Sequence, residues 1–172
     1  MSSSSSVDLG LLVVRIAVGV VFVAHGYNHI FGGGKIAGTA QWFSSLGMRP
    51  GILHAWSASV AEVVGGMLLL AGLATPLASA AVIGTMVVAW VTNHRTNGFF
   101  IFRPGEGYEY VMTLTAVGVG LAGTGAGCYS LDYALGWFDP PGWTGLLVAL
   151  VGGFGGAAGL LITFWRPTTP PA

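Results

Sequence analysis

The residues best suited to chemistry in this sequence are four histidines that lie at the ends of apolar segments. His25 and His29 close the first segment, at the i, i+4 spacing that puts two side chains on one helical face. His54 opens the second segment, and His94 closes the third. Imidazole ligates metals and haem iron, and it exchanges protons near neutral pH. These histidines could therefore bind a metal or haem, transfer protons, or form hydrogen bonds at a membrane surface.

Two charged residues lie inside apolar segments, Arg15 in the first and Glu62 in the second. A charge facing lipid is costly, so both side chains are expected to point into a helix bundle and pair there. At 3.6 residues per turn, one face of the first helix carries Arg15, Gly19, Phe22, Gly26 and His29, with His25 at its edge. Glu62 and His25 are predicted to lie at similar depths below the same membrane face, which favours His25 as the partner of Glu62. Arg15 is the alternative partner. An equal alternative is that these charges only lock two helices together.

Composition indicates that much of the chain lies in lipid. Hydrophobic residues make up 53% of the sequence and charged residues 7%, whereas soluble domains carry about 25% charged residues. The formal net charge of zero argues against a nucleic-acid partner. Cys128 is the only cysteine, so an internal disulfide or a CxxC site is excluded. The N-terminus has no basic region, which favours a retained anchor over a signal peptide.

Five segments are long enough to cross a bilayer core, which takes roughly 20 apolar residues of helix. They are Leu9–Phe31, Leu53–Leu73, Leu77–Asn93, Glu109–Ala126 and Trp143–Trp165. The ATP sequence between the second and third leaves room only for a tight antiparallel turn, with Pro76 placed to begin the next helix. The predicted fold class is therefore all-α: an integral membrane four-helix bundle plus one additional C-terminal transmembrane helix.

The remaining segments are assigned from their patterns. Residues 1–8 are predicted to be disordered, 9–135 to form the four-helix membrane domain, 136–165 to be a linker and the extra helix, and 166–172 to be a disordered tail. Within the membrane domain, Ile36–Met48 has the pattern of a short helix lying in the interface, and Thr96–Gly107 is expected to dip back into the headgroup region.

The distribution of charge predicts the orientation. Basic residues lie in the first and third loops and after the last span, at Lys35, Arg49, Arg95, Arg103 and Arg166. The fourth loop instead carries Asp132 and Asp139. Since Lys and Arg collect on the cytoplasmic side, the N-terminus is predicted to lie outside and the C-terminus in the cytoplasm.

This threading brings all four histidines to one membrane face, where three interpretations remain open. In the first, the polar residues only cap helices and bind headgroups. In the second, His25 and His29 hold a metal or haem, although no HExxH or Cys-His spacing accompanies them. In the third, His25, His29, His54, Glu62 and His94 line a pocket for a quinone headgroup, with protons supplied by His25 and Glu62.

Five fragments, in order, resemble the DoxX family of small bacterial membrane proteins: LGLLVVRIAVGVVFVAHGYNHIFGG, AEVVGGMLLLAGLATPLA, NGFF, GYEY and CYSLD. The resemblance covers roughly Leu9 to Leu135. Such proteins generally have four spans, so Trp143–Trp165 is an addition, and they often carry a lysine where this chain has His29. The family was named for a subunit of a thiosulfate:quinone oxidoreductase, and relatives are linked to assemblies of sulfur-handling and oxidant-defence enzymes.

The resemblance implies an accessory or scaffold subunit that anchors a redox or oxidative-stress assembly to the bacterial inner membrane. Its expected partners are membrane lipid and a peripheral oxidoreductase or other membrane subunits. An alternative is a quinone-binding subunit of a membrane oxidoreductase of the thiosulfate:quinone type, and a third is a small-solute carrier that uses Arg15 and Glu62. No catalytic residue, metal or cofactor is predicted, apart from quinone as a candidate ligand.

Overall fold

A computed structural model describes residues 3–137 and 142–167 of the chain. Asp139 and residues 168–172 of the predicted tail lie outside the described residues. The α-helices of the described part are α1 Ser3–Phe31, α2 Lys35–Ser45, α3 Gly51–Ala71, α4 Thr75–Ala89, α5 Glu109–Thr124, α6 Leu131–Leu135, α7 Trp143–Leu150 and α8 Gly156–Phe164. A π-helical turn, Trp90–His94, extends α4, and another, Val151–Gly155, joins α7 to α8.

Four of these helical stretches are long and apolar enough to cross a membrane: Ser6–Phe31, Gly51–Ala71, Thr75–His94 and Trp143–Phe164. The prediction of an all-helical membrane protein is therefore confirmed. The remaining predicted span corresponds to α5, whose 16 residues rise about 24 Å, less than the roughly 30 Å of a bilayer core. The count of five crossings, and hence a bundle of four plus one, stays a prediction.

Both ends of the described chain are more ordered than predicted. Helix α1 begins at Ser3, within the predicted disordered segment, because its first turns pack near the loop after α5: Cys128 N donates a hydrogen bond to Asp8 Oδ1 at 3.1 Å. At the other end, Arg166 N donates to the carbonyl oxygen of Gly47 at 2.7 Å. This bond continues a short antiparallel bridge between Met48 and Trp165, which ties the last span to the α2–α3 turn.

Helices α1 and α3 pack through glycines, as the predicted stripe of α1 requires. A Cβ at Gly66 of α3 would lie 2.7 Å from the carbonyl oxygen of Gly19 and 2.9 Å from the backbone nitrogen of Val23. About two turns further along α1, a Cβ at Gly26 would lie 2.9 Å from the carbonyl oxygen of Ser59. The two backbones can approach this closely only because these side chains are absent.

Helix α4 is the centre of the fold, because it packs against α3, α5 and the last span. The main hydrophobic core lies among α1, α3, α4 and α5 and contains Val18, Phe22, Leu69, Ala78, Val82, Met86, Val111, Leu114 and Leu121. Helix α2 lies across the end of the bundle, where Phe43 packs with Met48 and Ala55. The α3–α4 turn is as tight as predicted, and Pro76 lies in the first turn of α4.

The glycine packing predicts a specific loss of stability. Gly66→Ala should lower the free energy of unfolding by about 1–3 kcal/mol, because its methyl group would overlap the backbone of α1. Gly120→Ala is the matched control, since a Cβ at Gly120 meets no atom within 4 Å. Thermal unfolding in detergent measures both variants. Equal midpoints for the two variants would contradict close backbone packing at Gly66.

Candidate functional site

The candidate site is a cavity of about 470 Å³ at the end of the bundle that carries the histidines, here called the histidine cavity. Its walls come from α1, α2, α3, α4, α5 and the last span. All five residues of the predicted pocket lie on its wall: His25, His29, His54, Glu62 and His94. The structure thus brings together side chains that are up to 69 residues apart in the sequence, between His25 and His94.

The most direct polar contact in the cavity joins His29 and Glu62. The imidazole Nδ1 of His29 lies 3.0 Å from Oε2 of Glu62, and Glu62 is only 5% exposed. The two atoms are at ion-pair distance but do not form a regular hydrogen bond. A buried carboxylate beside an imidazole can share a proton with it, and this is the chemistry that the pair offers.

The prediction that His25 would be the partner of Glu62 is wrong, because it assumed that α1 and α3 end at the same depth. Gly26 packs against Ser59 and Val63, so Glu62 lies near the level of Gly26. Helical side chains lean toward the N-terminus of their own helix. His29 therefore leans into the bundle and Glu62 leans outward, and the two side chains meet. His25 instead donates from Nδ1 to the carbonyl oxygen of Val21 at 2.9 Å.

The alternative pairing of Arg15 with Glu62 is also wrong. Arg15 is fully buried at the opposite end of the bundle, where Nη1 donates to the carbonyl oxygen of Leu69 at 2.9 Å and Nη2 to that of Tyr129 at 2.5 Å. Leu69 and Glu62 are seven residues apart on α3, which is about 10 Å of helix. The acidic residue that acts electrostatically on Arg15 is Asp132.

Asp132 has a structural role that sequence reasoning missed. It is 3% exposed, and its two carboxylate oxygens accept hydrogen bonds from Ala74 N at 2.7 Å and Thr75 N at 2.8 Å. These amides belong to the N-terminus of α4, where a carboxylate is favoured by the helix dipole. Asp132 is the last residue of the CYSLD fragment. That fragment alone does not show that its carboxylate reaches the α3–α4 turn, so the capping role could not be predicted from it.

His54 of α3 and His94 at the end of the α4 extension both line the histidine cavity. His54 is 3% exposed between the rings of Phe43 and Phe164, whose centroids lie 6.5 Å and 5.1 Å from its own. Its Nε2 has no hydrogen-bond partner among the described residues. His94 ends the π-helical extension of α4, and its Nδ1 donates to the carbonyl oxygen of Glu106 at 2.9 Å. The cavity therefore has one fixed polar wall and one buried nitrogen without a partner.

Aromatic residues complete the cavity wall, although no sequence pattern predicted this role for them. Tyr110 belongs to the GYEY fragment and stacks on His25 with ring centroids 6.3 Å apart. Trp42 and Phe43 of α2 contribute two more rings, 5.1 Å apart. These two rings line the cavity because α2 covers the end of the bundle. The sequence pattern predicted an interfacial helix here but did not show that it covers the bundle.

The described residues contain no group of three or more His, Cys, Asp or Glu side chains arranged to hold a metal. His25 and His29, the pair considered for metal or haem, turn to different partners: His25 to the carbonyl oxygen of Val21 and His29 to Glu62. The geometry of this pair therefore favours hydrogen bonding and proton exchange over joint ligation.

The comparisons with known proteins agree with this fold. The DoxX family model matches residues 10–95, which are 86 of the 172 residues. The chain belongs to the DoxX family. A curated relative from Bacillus subtilis (strain 168), named "Putative oxidoreductase CatD", is 28% identical over 121 residues, which cover 70% of this chain and 84% of the relative. No solved structure matches the chain.

All four histidines and Glu62 lie within the DoxX match, whereas Tyr110 and the last span lie beyond it.

The only cysteine lies at the end of the bundle opposite the histidine cavity. The thiol of Cys128 is hydrogen-bonded to the carboxylate of Asp8, and this contact raises the pKa of the thiol above its usual value. The negative charge of Asp8 acts in the same direction, because a thiolate beside a carboxylate is disfavoured. A smaller fraction of Cys128 is therefore thiolate at a given pH than for an ordinary cysteine.

Asp8→Asn should make Cys128 more reactive. The asparagine keeps an oxygen that can accept the Cys128 N–H but removes the charge, so the thiol pKa falls and the thiolate fraction rises. The initial rate of alkylation by iodoacetamide at pH 8, measured by mass spectrometry, should increase by about threefold or more. Glu109→Gln serves as the control and should leave the rate unchanged. A slower reaction in Asp8→Asn would show that the carboxylate does not suppress the thiolate.

Proposed function

We propose that this DoxX-family protein is the membrane subunit of an oxidoreductase and that it binds a quinone or quinol headgroup in the histidine cavity. The observation that carries this proposal is the buried His29–Glu62 pair, 3.0 Å apart on the wall of a mostly apolar cavity. Ligand sites of this kind combine apolar walls with a few polar groups that fix orientation. The name of the curated relative supports a redox context, although it specifies no substrate.

The chain's own residues match the needs of quinone chemistry. Reduction of a quinone to a quinol takes up two electrons and two protons, and the reverse reaction releases them. The His29–Glu62 pair would exchange a proton with the headgroup oxygen nearest to it. The partnerless Nε2 of His54 would offer a hydrogen bond to the ligand after a small rotation of the ring. Electrons would come from, or go to, a partner oxidoreductase.

A scaffold role is the second candidate, and the loop before α5 favours it. Phe100 and Phe102 stack with ring centroids 5.1 Å apart, and Phe102 is 78% exposed. The loop is held rigidly, since Gly107 N donates to the carbonyl oxygen of Phe100 and Asn97 donates to that of Gly105 at 2.6 Å. An ordered aromatic surface beside basic residues could seat a peripheral oxidoreductase or lie among headgroups. The carrier alternative loses its basis, because Arg15 and Glu62 lie apart.

The proposed orientation places the histidine cavity at the cytoplasmic side of the bacterial inner membrane. The five basic residues of the loops and of the C-terminal segment all belong to the end of the bundle that holds the cavity. Arg15, the sixth basic residue, is buried near the other end. The positive-inside rule then puts the N-terminus and Cys128 outside.

Cys128 allows a direct test of the orientation, because it is the only cysteine. A membrane-impermeant maleimide added to intact spheroplasts should label Cys128, and Cys128→Ser should abolish the signal. A Ser45→Cys, Cys128→Ser variant places the thiol at the exposed C-terminal end of α2, at the cavity end of the bundle, and should be labelled only after the membrane is permeabilised. Labelling of Cys128 only in permeabilised spheroplasts would reverse the proposed orientation.

Binding of a quinone to purified protein tests the proposed function. The probe is menadione, a naphthoquinone ring without a tail, titrated in nanodiscs and followed by quenching of tryptophan fluorescence. Glu62→Gln should weaken binding about 10- to 100-fold, because the carbonyls of menadione only accept hydrogen bonds and the amide no longer shares with His29 the proton that the pair would donate to them. Glu109→Gln is the matched control: Glu109 binds the amide of Ile101 outside the cavity wall and should keep the wild-type affinity.

Two outcomes would overturn the quinone site. One is wild-type affinity in Glu62→Gln when its thermal stability is unchanged. The other is no binding of menadione to the wild-type protein. If that protein nevertheless co-purifies in mild detergent with an oxidoreductase, the scaffold role would replace the quinone site as the proposed function.

A further inference from the structure

The histidine cavity has an extension that the headgroup proposal does not use. Its wall changes from polar side chains around Glu62 to small residues on three helices. These residues, here called the small-residue groove, are Ala58 and Ala61 of α3, Ala81 and Gly84 of α4, and Gly152 and Gly156 of the last span. The side chains of these six residues form no hydrogen bonds, and the hydroxyl of Ser57 at the edge of the groove already donates to the carbonyl oxygen of Leu53 at 2.7 Å.

The small-residue groove lies where α3 and the last span diverge. Both helices pack on α4: a Cβ at Gly65 would lie 3.0 Å from Cβ of Ala81, and one at Gly84 would lie 3.4 Å from the carbonyl oxygen of Gly153. Close contact with the same helix holds α3 and the last span on either side of it. Ser57 of α3 and Gly156 of the last span are both exposed and both line the cavity. The gap between these two helices is therefore a place where the groove can open toward lipid.

Gly156 shows that this space is free. A Cβ built on Gly156 meets no atom within 4 Å, although the residue lies on the cavity wall. By contrast, a Cβ at Gly153, one turn earlier, would lie 2.7 Å from Ile83. The π-helical turn Val151–Gly155 lies between α7 and α8 at this point, and such widened turns occur frequently at functional sites. The last span is therefore packed against α4 at Gly153 and borders open space one turn later, at Gly156.

We propose that the small-residue groove holds the hydrocarbon tail of the ligand whose headgroup occupies the histidine cavity, and that the ligand enters sideways from the bilayer between α3 and the last span. This inference rests on the proposed function, because the polar end of the groove is the His29–Glu62 and His54 wall. The buried, partnerless Nε2 of His54 is the independent sign of a ligand there, since buried polar atoms are normally paired.

The same groove assigns a role to the last span, which lies beyond the residues that match the DoxX family model. Gly152, Gly156, Ala157 and Leu160 supply one side of the cavity. The span is fixed there by the bond from Arg166 N to the Gly47 carbonyl oxygen and by the indole of Trp165, which donates to the carbonyl oxygen of Leu46 at 3.0 Å. The last span would thus select for ligands with a long tail by covering apolar surface of that tail.

The test compares two ligands on two variants. Gly156→Leu fills the groove without steric overlap of its Cβ, and Gly159→Leu adds the same side chain to the same helix at a position that also has no atom within 4 Å but does not line the cavity. Menadione and a menaquinone with a long isoprenoid tail are titrated into each protein in nanodiscs. Gly156→Leu should weaken menaquinone binding at least about tenfold, because several methylene groups lose their buried site. Menadione should bind Gly156→Leu and wild type within about twofold, and Gly159→Leu should match the wild type for both ligands.

The outcomes separate the tail groove from the headgroup site. Equal weakening of both ligands by Gly156→Leu, or no effect on either, would overturn the tail groove while leaving the headgroup site standing. Failure of menadione to bind the wild-type protein would instead overturn the proposed function. A phospholipid that co-purifies with wild type, is missing from Gly156→Leu and is not displaced by menaquinone would show that an acyl chain fills the groove, which also overturns the proposal.

Discussion

The close approach of α1 to α3 sets the relative positions of Arg15, His29 and Glu62 inside the bundle. Gly19 and Gly26 on one helix and Gly66 on the other bring the two backbones together, and this contact fixes the vertical register between them. This register determines two polar contacts between α1 and α3. Arg15 donates to the carbonyl oxygen of Leu69, and His29 contacts Glu62. A slide of one turn, about 5 Å, would separate both pairs and leave charges without partners in a medium that cannot solvate them.

The two ends of the bundle use their polar residues differently. At one end, Arg15 and Asp132 are saturated by backbone groups, with carbonyls around the guanidinium and amides around the carboxylate. That end holds the turns together. At the other end, Glu62 and His54 are just as buried but make few hydrogen bonds, and they border an open cavity. Buried groups that the protein itself does not satisfy are where a ligand gains most from binding.

Much of this arrangement could be predicted from the sequence, because a bilayer requires long apolar helices and turns charged side chains toward the interior of the bundle. Apolar length gave four of the spans, and the positions of Arg15, Gly19 and Gly26 gave the face of α1 that packs against α3. Which histidine meets Glu62 could not be predicted, since it depends on a register that only the glycine contacts reveal. The π-helical turns, the capping of α4 by Asp132 and the coverage of the cavity by α2 depend on contacts between distant segments, and no local pattern encodes them.

The pairing of Met48 with Trp165 has a consequence for biosynthesis. The C-terminal residues of the last span dock on a turn that was made more than a hundred residues earlier, and Phe164 is the ring closest to His54 among its aromatic contacts. While the ribosome is still adding that span, the helices already inserted present their imidazoles and Glu62 to lipid or to the insertion machinery along an unfinished side. The cavity therefore acquires its last wall only after the last span has been synthesised, which couples formation of the site to that step.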